Sequence, residues 1–324
     1  MALVVEVVVA SGKGGVGKST LSSTLAIYLK EKGRDVIAID ADADAPNLHL
    51  VLEVDSWELE EPYEDAWVAE IDQSKCTACG ICAEACPFGA ISVINGIYSI
   101  NKVICEGCLT CTLACPYRAI VRSRVRRGVI RRARTKYGFP LWTSELLPGR
   151  PNTGKLVTEV KNRARSAAGE GTVAVVDAAA GIGCQVISSL VGASVAILVA
   201  EPTAASMSDL KRVHVVAKQM MIPSALVVNK YDVNPGFVEE LLKYAKEENM
   251  DVLGMIPYDD HVPRAMAQAR PLIKVYPEAP ASKALLEVAG KVHEILSDLR
   301  GWSSRHRPSK PAVYRPLMIK PPEL

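Results

Sequence analysis

The sequence feature that most limits the possible folds is a repeated run of four cysteines. KCTACGICAEACPFGAI begins at Lys75, and ICEGCLTCTLACPYRAI begins at Ile104. Each cysteine of the second run lies 29 residues after its counterpart in the first, and CPFGAI matches CPYRAI. The repeat indicates a small module that is present twice. Because so short a module has few residues of its own to bury, bound metal is expected to hold it together.

Composition describes an otherwise ordinary globular chain around this module. The protein has 324 residues, of which 49% are hydrophobic, and a net charge of +2. This charge argues neither for nor against nucleic acid, and no apolar run reaches the roughly 18 residues of a membrane helix. The N-terminal MALVVEVVVASGKGG contains Glu6 and lacks a basic n-region, so it is interpreted as a first strand and not as a signal peptide. A cytoplasmic location is expected, where nine cysteines are typical of metal ligands.

The spacing C-x2-C-x2-C-x3-C-P resembles that of bacterial ferredoxins with two [4Fe–4S] clusters. In that family the fourth cysteine of each run ligates the other cluster. The resemblance implies one cluster held by Cys76, Cys79, Cys82 and Cys115, and a second held by Cys105, Cys108, Cys111 and Cys86. Two structural zinc sites are the alternative. The spacing disfavours them, because zinc ribbons use two C-x2-C pairs separated by a longer gap.

A phosphate-binding motif follows the first predicted strand. The apolar run LVVEVVVA leads into a glycine-rich loop that fits G-x4-G-K-[ST]. Backbone N–H groups of such a loop cradle phosphates, Lys18 is expected to reach the β- and γ-phosphates, and Ser19 is expected to hold Mg²⁺. The following helix points its N-terminus at the phosphates. The predicted binding residues of the loop are Gly12, Gly14, Gly15, Val16, Gly17, Lys18, Ser19 and Thr20.

A second lysine, Lys13, lies near the start of this loop and makes the motif more specific. The pattern K-G-G-x-G-K-[ST] resembles the deviant Walker A motif of the MinD/ParA ATPases and the nitrogenase iron protein. The resemblance implies ATP hydrolysis to ADP and phosphate. It also implies a homodimer in the ATP-bound state, in which Lys13 reaches across to the phosphates of the partner.

Two further strands end in residues that match the switch segments of this family. RDVIAIDADADAPNLHL carries Asp40, Asp42 and Asn47. The resemblance implies that Asp40 binds near Mg²⁺ and that Asp42 positions the attacking water. TVAVVD ends at Asp177, which is expected to hold Mg²⁺ through water, and Gly181 matches the position whose N–H lies near the γ-phosphate. Relatives commonly have two prolines after this aspartate, and their replacement by alanine predicts a more flexible switch.

The strand SALVVNKYD is predicted to read the base of the nucleotide. Asn229 is expected to contact the purine edge, as the asparagine of MinD-type ATPases contacts adenine. Asn229, Lys230 and Asp232 also fit the N-K-x-D motif of GTPases. ATP is favoured because the deviant loop is the more specific feature, and GTP is the alternative.

Buried strands alternate with helical patterns outside the cysteine runs. They predict an α/β fold, a doubly wound and mostly parallel sheet of the P-loop NTPase (SIMIBI) type, with an inserted α+β ferredoxin module. The layout resembles MinD-superfamily ATPases that carry such an insert. The predicted domains are residues 1–67 and 123–300 for the ATPase, 68–122 for the module and 301–324 for a proline-rich tail.

Charged stretches flank the predicted module. Residues 53–72 contain nine carboxylates and no Lys or Arg, whereas RSRVRRGVIRRARTK contains seven arginines and a lysine. The favoured interpretation is that both are solvated faces of a ribbon that pair with each other. Docking of an acidic redox partner or of nucleic acid is the alternative. Nucleic acid is disfavoured because no aromatic residues are interleaved for base stacking.

Two features in the C-terminal half of the chain are interpreted as structural and not as binding sites. Cys184 is interpreted as a small apolar residue near the switch, because one such cysteine per chain would give a dimer only two thiolates. The last amphipathic stretch, SKALLEVAGKVHEILSDLR, is predicted to pack on the sheet. Its polar face mixes acidic and basic residues, which disfavours binding to anionic lipid.

These motifs together predict a protein that couples a nucleotide switch to two [4Fe–4S] clusters. ATP would close a homodimer and bring the module to an unidentified redox partner. One alternative is an iron–sulfur or metallocluster assembly factor that serves a metalloenzyme client. The other is a spatial organiser of the MinD/ParA kind, against which eight intact cluster ligands argue.

Overall fold

Strands and helices alternate along the chain in the computed structural model, which describes residues 4–64, 66–148 and 154–309. The strands are β1 Val5–Ser11, β2 Val36–Ala41, β3 Leu59–Tyr63, β4 Ala66–Ile71, β5 Ile91–Ile94, β6 Ile97–Ile100, β7 Ile120–Val125, β8 Gly128–Arg134, β9 Pro140–Leu146, β10 Val173–Ala180, β11 Val195–Ala200, β12 Ser224–Asn229 and β13 Asp251–Ile256. The helices are α1 Lys18–Glu31, α2 Leu48–Val51, α3 Ile81–Glu84, α4 Thr110–Ala114, α5 Lys155–Ala167, α6 Cys184–Leu190, α7 Ala204–Gln219, α8 Pro235–Glu247, α9 His261–Ala267, α10 Leu272–Val275, α11 Pro280–Ser297 and α12 Leu299–His306. A short 3-10 helix spans Tyr231–Val233.

Nine of these strands form one sheet, in the order β13-β12-β11-β1-β10-β2-β9-β8-β3. The strands from β13 to β9 are parallel, whereas β8 is antiparallel to β9 and β3 is antiparallel to β8. The central parallel strands consist largely of buried Val, Ile, Leu and Ala, as expected when helices cover both faces. The predicted doubly wound, mostly parallel α/β sheet is confirmed.

Helices cover both faces of this sheet. One face packs against α1 and α11, with Leu25 and Val288 among the fully buried contacts. The other packs against α5, α6, α7 and α8, with Leu210 and Leu241 buried there. The predicted packing of the last long amphipathic helix, α11, on the sheet is confirmed. None of the helices in the described ranges is both long and apolar enough to span a bilayer.

The acidic and arginine-rich stretches form a ribbon, β3-β8-β9, at one edge of the sheet. Arg131 bonds both Glu60 and Glu145 at 2.6 Å, and Arg132 pairs with Glu58 at 3.0 Å. The predicted pairing of the two stretches is confirmed for these strands. The attachment of the ribbon to the main sheet, through β9 and β2, is not evident from the sequence. Charged side chains on the outer face of the ribbon obscure the alternation of apolar and polar residues that normally predicts a strand.

The segment between β3 and β8 forms a small unit with its own core. β4 pairs with β7 and β5 pairs with β6, both antiparallel, and α3 packs against α4. The buried members of its core are Ala69, Cys82, Ile91, Cys111 and Ile120. Because two of these five residues are cysteines, the packing of the unit depends on what their sulfur atoms bind.

The residues around the predicted start of the tail, at residue 301, belong to a helix. Residues 299–306 form α12, in which Trp302 is buried and its Nε1 donates to Asp251 Oδ2 at 2.7 Å. Asp298 caps this helix by accepting from the Gly301 N–H at 3.2 Å. The predicted boundary is therefore wrong, because an anchored tryptophan and a capped helix extend the fold. The remainder of the predicted tail, from residue 310, lies outside the described residues.

Candidate functional site

A cleft of about 530 Å³ opens at the carboxyl ends of the parallel strands. This is where doubly wound sheets bind ligands, and its volume is in the range typical of nucleotide-sized sites. Most of the predicted nucleotide-binding residues line it together. The lining includes Gly14, Gly15, Gly17, Lys18, Ser19, Thr20, Asp42, Asn47, Asp177, Asn229 and Lys230.

The loop between β1 and α1 is held in place by two close approaches that require glycine. Gly17 has φ of 95°, and a Cβ there would lie 2.5 Å from Asn229 Nδ2. Nδ2 of Asn229 also donates to the Val16 carbonyl at 2.8 Å. A Cβ on Gly12 would lie 2.2 Å from Asp209 Cβ on α7. The loop is therefore clamped between β12 and α7, with the first turn of α1 facing the cleft.

Acidic side chains gather beside this loop. Asp40 and Asp177 are both buried, and Ser22 Oγ donates to Asp177 Oδ1 at 2.9 Å. Burial raises the pKa of both aspartates, and a neighbouring carboxylate adds to each rise: Asp177 acts on Asp40, and Asp42 acts on Asp177. Hydrogen bonding from Ser19 and the charge of Lys18 oppose this rise at Asp177. Two crowded carboxylates beside a serine hydroxyl are suited to a divalent cation, whose charge would remove their repulsion.

Asp40 also makes backbone hydrogen bonds that the sequence does not reveal. Its Oδ2 accepts from the backbone N–H groups of Asn47 and Leu48 at 3.0 and 2.9 Å, and its Oδ1 accepts from that of Asp42 at 3.1 Å. A carboxylate with this many backbone donors fixes the loop after β2 and the start of α2. Asp40 is therefore placed to position the loop that carries Asp42 and Asn47.

Two more of the predicted nucleotide-binding residues make hydrogen bonds to other residues of the protein. The Gly181 N–H, expected near the γ-phosphate, donates to the Ser11 carbonyl at 3.0 Å. Asp232, the residue that would read guanine, accepts at Oδ1 from the Tyr258 N–H at 2.7 Å. Neither residue is among those that line the cleft.

The extra lysine of the loop, Lys13, lies in an ion pair that the sequence does not reveal. Its Nζ is 2.7 Å from Glu201 Oε2, and Lys230 Nζ is 2.6 Å from Glu201 Oε1. Glu201 directly follows β11, so the fold brings together residues that are remote in sequence. The only local signal is an acidic residue at the carboxyl end of a buried parallel strand.

Part of the cleft is lined by residues that motif matching does not identify. They lie in α9 or in the turn between β13 and α9, and they are Pro257, Tyr258, Val262, Pro263 and Met266. Tyr258 and Met266 are about half exposed. An apolar surface of this kind suits the face of a planar base. Its residues form no fixed motif, so only the folded arrangement identifies them.

Gln185 connects the two loops that border the cleft. It is buried at the start of α6, its Oε1 accepts from the Ala43 N–H at 2.8 Å, and its Nε2 donates to Asp44 Oδ2 at 2.5 Å. The Leu146 N–H, at the end of β9, donates to the Ala43 carbonyl at 2.8 Å. The loop after β2 therefore contacts both the β10–α6 region and the ribbon.

The eight repeated cysteines line two cavities in the small unit. The first cavity is lined by Cys76, Cys79, Cys82 and Cys115, and the second by Cys86, Cys105, Cys108 and Cys111. Each cavity thus collects three cysteines of one run and the fourth of the other. The fourth cysteines have matching environments, since the Ala90 N–H lies 3.4 Å from Cys86 Sγ and the Ala119 N–H lies 3.4 Å from Cys115 Sγ.

Among the described residues, no three His, Cys, Asp or Glu side chains converge closely enough to hold one metal ion. Cys184 stands apart from both cavities; it is exposed at the start of α6, and it lines a groove next to the nucleotide cleft. The structure does not bring it to the other cysteines.

Comparison with known proteins agrees with the fold and the cleft. Residues 7–272 match the family described as the CobQ/CobB/MinD/ParA nucleotide binding domain. The chain is 31% identical to the uncharacterized protein MJ0578 of Methanocaldococcus jannaschii, over 91% of this chain and 99% of that protein. It is 25% identical to the iron-sulfur cluster carrier protein of Pyrococcus horikoshii, over 91% and 88% of the two chains. The septum site-determining protein MinD of P. horikoshii, solved with Mg-ADP, shares the fold with a TM-score of 0.56 at 19% identity, covering 93% of this chain and 99% of that one.

Proposed function

The chain belongs to the CobQ/CobB/MinD/ParA nucleotide-binding family, and on that premise we propose that it is an ATP-hydrolysing iron–sulfur protein. In this proposal a nucleotide-dependent homodimer controls electron transfer through two [4Fe–4S] clusters to an unidentified redox partner. The observation that carries the proposal is the pair of cavities, each lined by four cysteines in the crossed pattern of two-cluster ferredoxins.

The donor sets fit clusters better than single zinc ions. Four thiolates that share one zinc lie roughly 3.7 Å apart, because each Zn–S bond is about 2.3 Å long and the site is tetrahedral. The described residues offer no such convergence of three ligands. A four-iron cluster is much larger than one ion, and it requires four soft sulfur donors around a cavity. When bound, each cluster would supply one-electron chemistry, and the cysteines would hold it between α3, α4 and the short strands.

ATP is favoured over GTP by the position of Asp232. A guanine-reading aspartate must present a free carboxylate to the N1 and N2 donors of the base. Here Asp232 is not among the residues that line the cleft, and its Oδ1 accepts from the Tyr258 N–H. Adenine requires no such carboxylate. The uncharacterized ATP-binding protein MJ0547 of M. jannaschii is 25% identical over 90% of this chain.

The residues of the cleft suit phosphoryl transfer to water. Lys18, buried beside the loop, would neutralise charge on the β- and γ-phosphates. Ser19 and Asp177 offer the hard oxygen atoms that Mg²⁺ prefers, and the bound ion would neutralise phosphate charge. Asp42, which lines the cleft, would orient the attacking water. Asp40 keeps this loop in position.

A physical connection between the nucleotide and the module runs through the loop after β2. Asp40 ties this loop to the start of α2, from which the chain continues into β3 and the module. The Leu146 N–H ties the returning ribbon to the same loop, at Ala43. Both the outgoing and the returning chain are therefore anchored on the loop that carries Asp42. A movement of this loop with the γ-phosphate would shift the ribbon that supports the module.

Delivery of clusters or electrons to a metalloenzyme client is the second candidate function. It is favoured by the 25% identity to the P. horikoshii iron-sulfur cluster carrier protein over most of both chains. Spatial organisation in the manner of MinD is the third, and it rests on the shared fold alone. Labile clusters that transfer to an apo-acceptor protein would favour the carrier function. Clusters that undergo stable, reversible reduction would favour electron transfer.

The proposed coupling predicts that nucleotide changes the reduction potential of the clusters. We expect a shift of about 59 mV or more between the ADP-bound protein and the protein bound to a non-hydrolysable ATP analogue, measured anaerobically by redox titration. Thermodynamic linkage requires the reciprocal change, about tenfold in nucleotide affinity for each 59 mV of a one-electron couple. Unchanged potentials, with nucleotide binding intact, would contradict energetic coupling and favour the carrier function.

Lys13 is expected to act in the dimer and not in nucleotide binding. In this structure its Nζ pairs with Glu201, so it must exchange this carboxylate for the phosphates of a partner. Lys13→Ala should lower ATP turnover at least tenfold, while the affinity for ATP, measured calorimetrically, changes less than threefold. Glu201→Gln removes the competing charge and keeps Lys13, so this matched variant should retain or increase turnover. Unchanged turnover in Lys13→Ala would rule out the cross-dimer role.

A further inference from the structure

The two halves of the repeated module have different residues at one matched position beside the sulfur ligands. Thr110 follows the second cysteine of its run by two residues, and Ile81 is at the same place in the first run. We propose that Thr110 raises the reduction potential of the cluster held by Cys105, Cys108, Cys111 and Cys86. This inference rests on the proposed function, which supplies the clusters.

The contact that distinguishes the halves is a hydroxyl beside a ligand sulfur. Thr110 Oγ1 lies 3.4 Å from Cys108 Sγ, within hydrogen-bond distance for sulfur. A thiolate that binds iron carries no proton, so the hydroxyl must be the donor. Ile81 has no hydroxyl, so the first half cannot make this bond. The second half alone can therefore donate from this position.

The backbone at the matched position is the same in both halves, so the difference lies in the side chain. Gly80 and Leu109, the residues just before, both adopt the left-handed conformation, with φ of 83° and 60°. α3 begins at Ile81 and α4 begins at Thr110. The amide contacts to the fourth cysteines, from Ala90 and Ala119, are also equal at 3.4 Å.

A hydrogen bond to a ligand sulfur stabilises the reduced cluster more than the oxidised one, because the added electron makes the sulfur atoms more negative. With both clusters bound, the bond would therefore make an electron that a redox donor delivered to the module more stable on the second cluster than it is without the bond. Cys108 and Thr110 are both exposed, so the bond competes with water. An effect of about fivefold on the ratio of reduced to oxidised cluster is expected. This corresponds to about 40 mV in a one-electron couple.

The experiment compares three variants of the full chain, purified anaerobically, by redox titration followed by electron paramagnetic resonance. Thr110→Val keeps the shape and removes the hydroxyl. It should lower one of the two midpoint potentials, by the equivalent of about a fivefold change in the ratio of reduced to oxidised cluster, and leave the other potential unchanged. Thr110→Ser restores the donor and should restore the potential. Ile81→Thr introduces a hydroxyl at the matched position and should raise the other midpoint potential.

The iron and acid-labile sulfide of each variant, measured in parallel, separate the two proposals. Full iron content with unchanged midpoint potentials in Thr110→Val would overturn the role of Thr110 and leave the proposed function standing. A Thr110→Ser variant that behaves like Thr110→Val would overturn it as well, since the hydroxyl would not be the cause. Wild-type protein without iron and sulfide would instead overturn the proposed function, and this inference with it.

Discussion

Replacing Lys18 by alanine is expected to weaken ATP binding at least 100-fold, which is about 2.8 kcal/mol. Lys18 is 8% exposed and lines the cleft beside the glycine loop. Burial lowers the pKa of Lys18, whereas the charges of Asp177 and Asp42 oppose this shift. Its removal would leave these two carboxylates facing the phosphates with no compensating cation, so that repulsion adds to the lost charge-assisted hydrogen bonds. Isothermal titration calorimetry with Mg-ATP measures the effect.

The matched control is Lys30→Ala, in the last turn of the same helix. Lys30 does not line the cleft, so its removal should leave ATP affinity unchanged within twofold. Circular dichroism of both variants checks that α1 remains folded. If Lys18→Ala bound ATP with normal affinity, the loop would not be a phosphate site and the ATPase proposal would fail.

The contiguous parts of the nucleotide cleft could be predicted from the sequence because their chemistry is local. Gly17, Lys18 and Ser19 are adjacent in the chain, and a buried strand followed by a glycine loop and a helix leaves little freedom in where they lie. The carboxyl ends of parallel strands meet at one edge, which brings Asp42 and Asp177 to the same cleft. The parallel direction of most strands follows from the alternation of strands and helices, whereas the order of the strands does not.

The roles that depend on orientation could not be predicted in this way. Residue type alone does not tell whether the carboxylate of Asp40 points to a cation or to the backbone donors of its own loop. The same holds for Asp232, whose N-K-x-D context suggests a base contact and whose partner is the Tyr258 N–H. Long-range pairs such as Lys13 with Glu201 require the folded chain, since their strands become neighbours only in the sheet.

Removal of a single repeated cysteine is expected to cost the module one whole cluster. Cys115→Ala should reduce the iron content from about eight to about four atoms per chain, because a [4Fe–4S] cluster with three thiolates is readily lost. Cys115 lines the cavity of Cys76, Cys79 and Cys82, although it belongs to the other run in sequence. The lost cluster should therefore be the first. Iron and acid-labile sulfide determination on anaerobically purified protein measures the loss.

Double variants test the crossed arrangement directly. Cys76→Ala combined with Cys115→Ala should retain about four iron atoms, because both residues serve one cluster, whereas Cys105→Ala combined with Cys115→Ala should retain none. An uncrossed arrangement, with each run holding its own cluster, reverses these two results. Cys184→Ala is the control: this exposed cysteine lies outside both cavities, so the variant should keep all of its iron. Loss of iron in that control would mean that the cluster-binding set extends beyond the repeated runs.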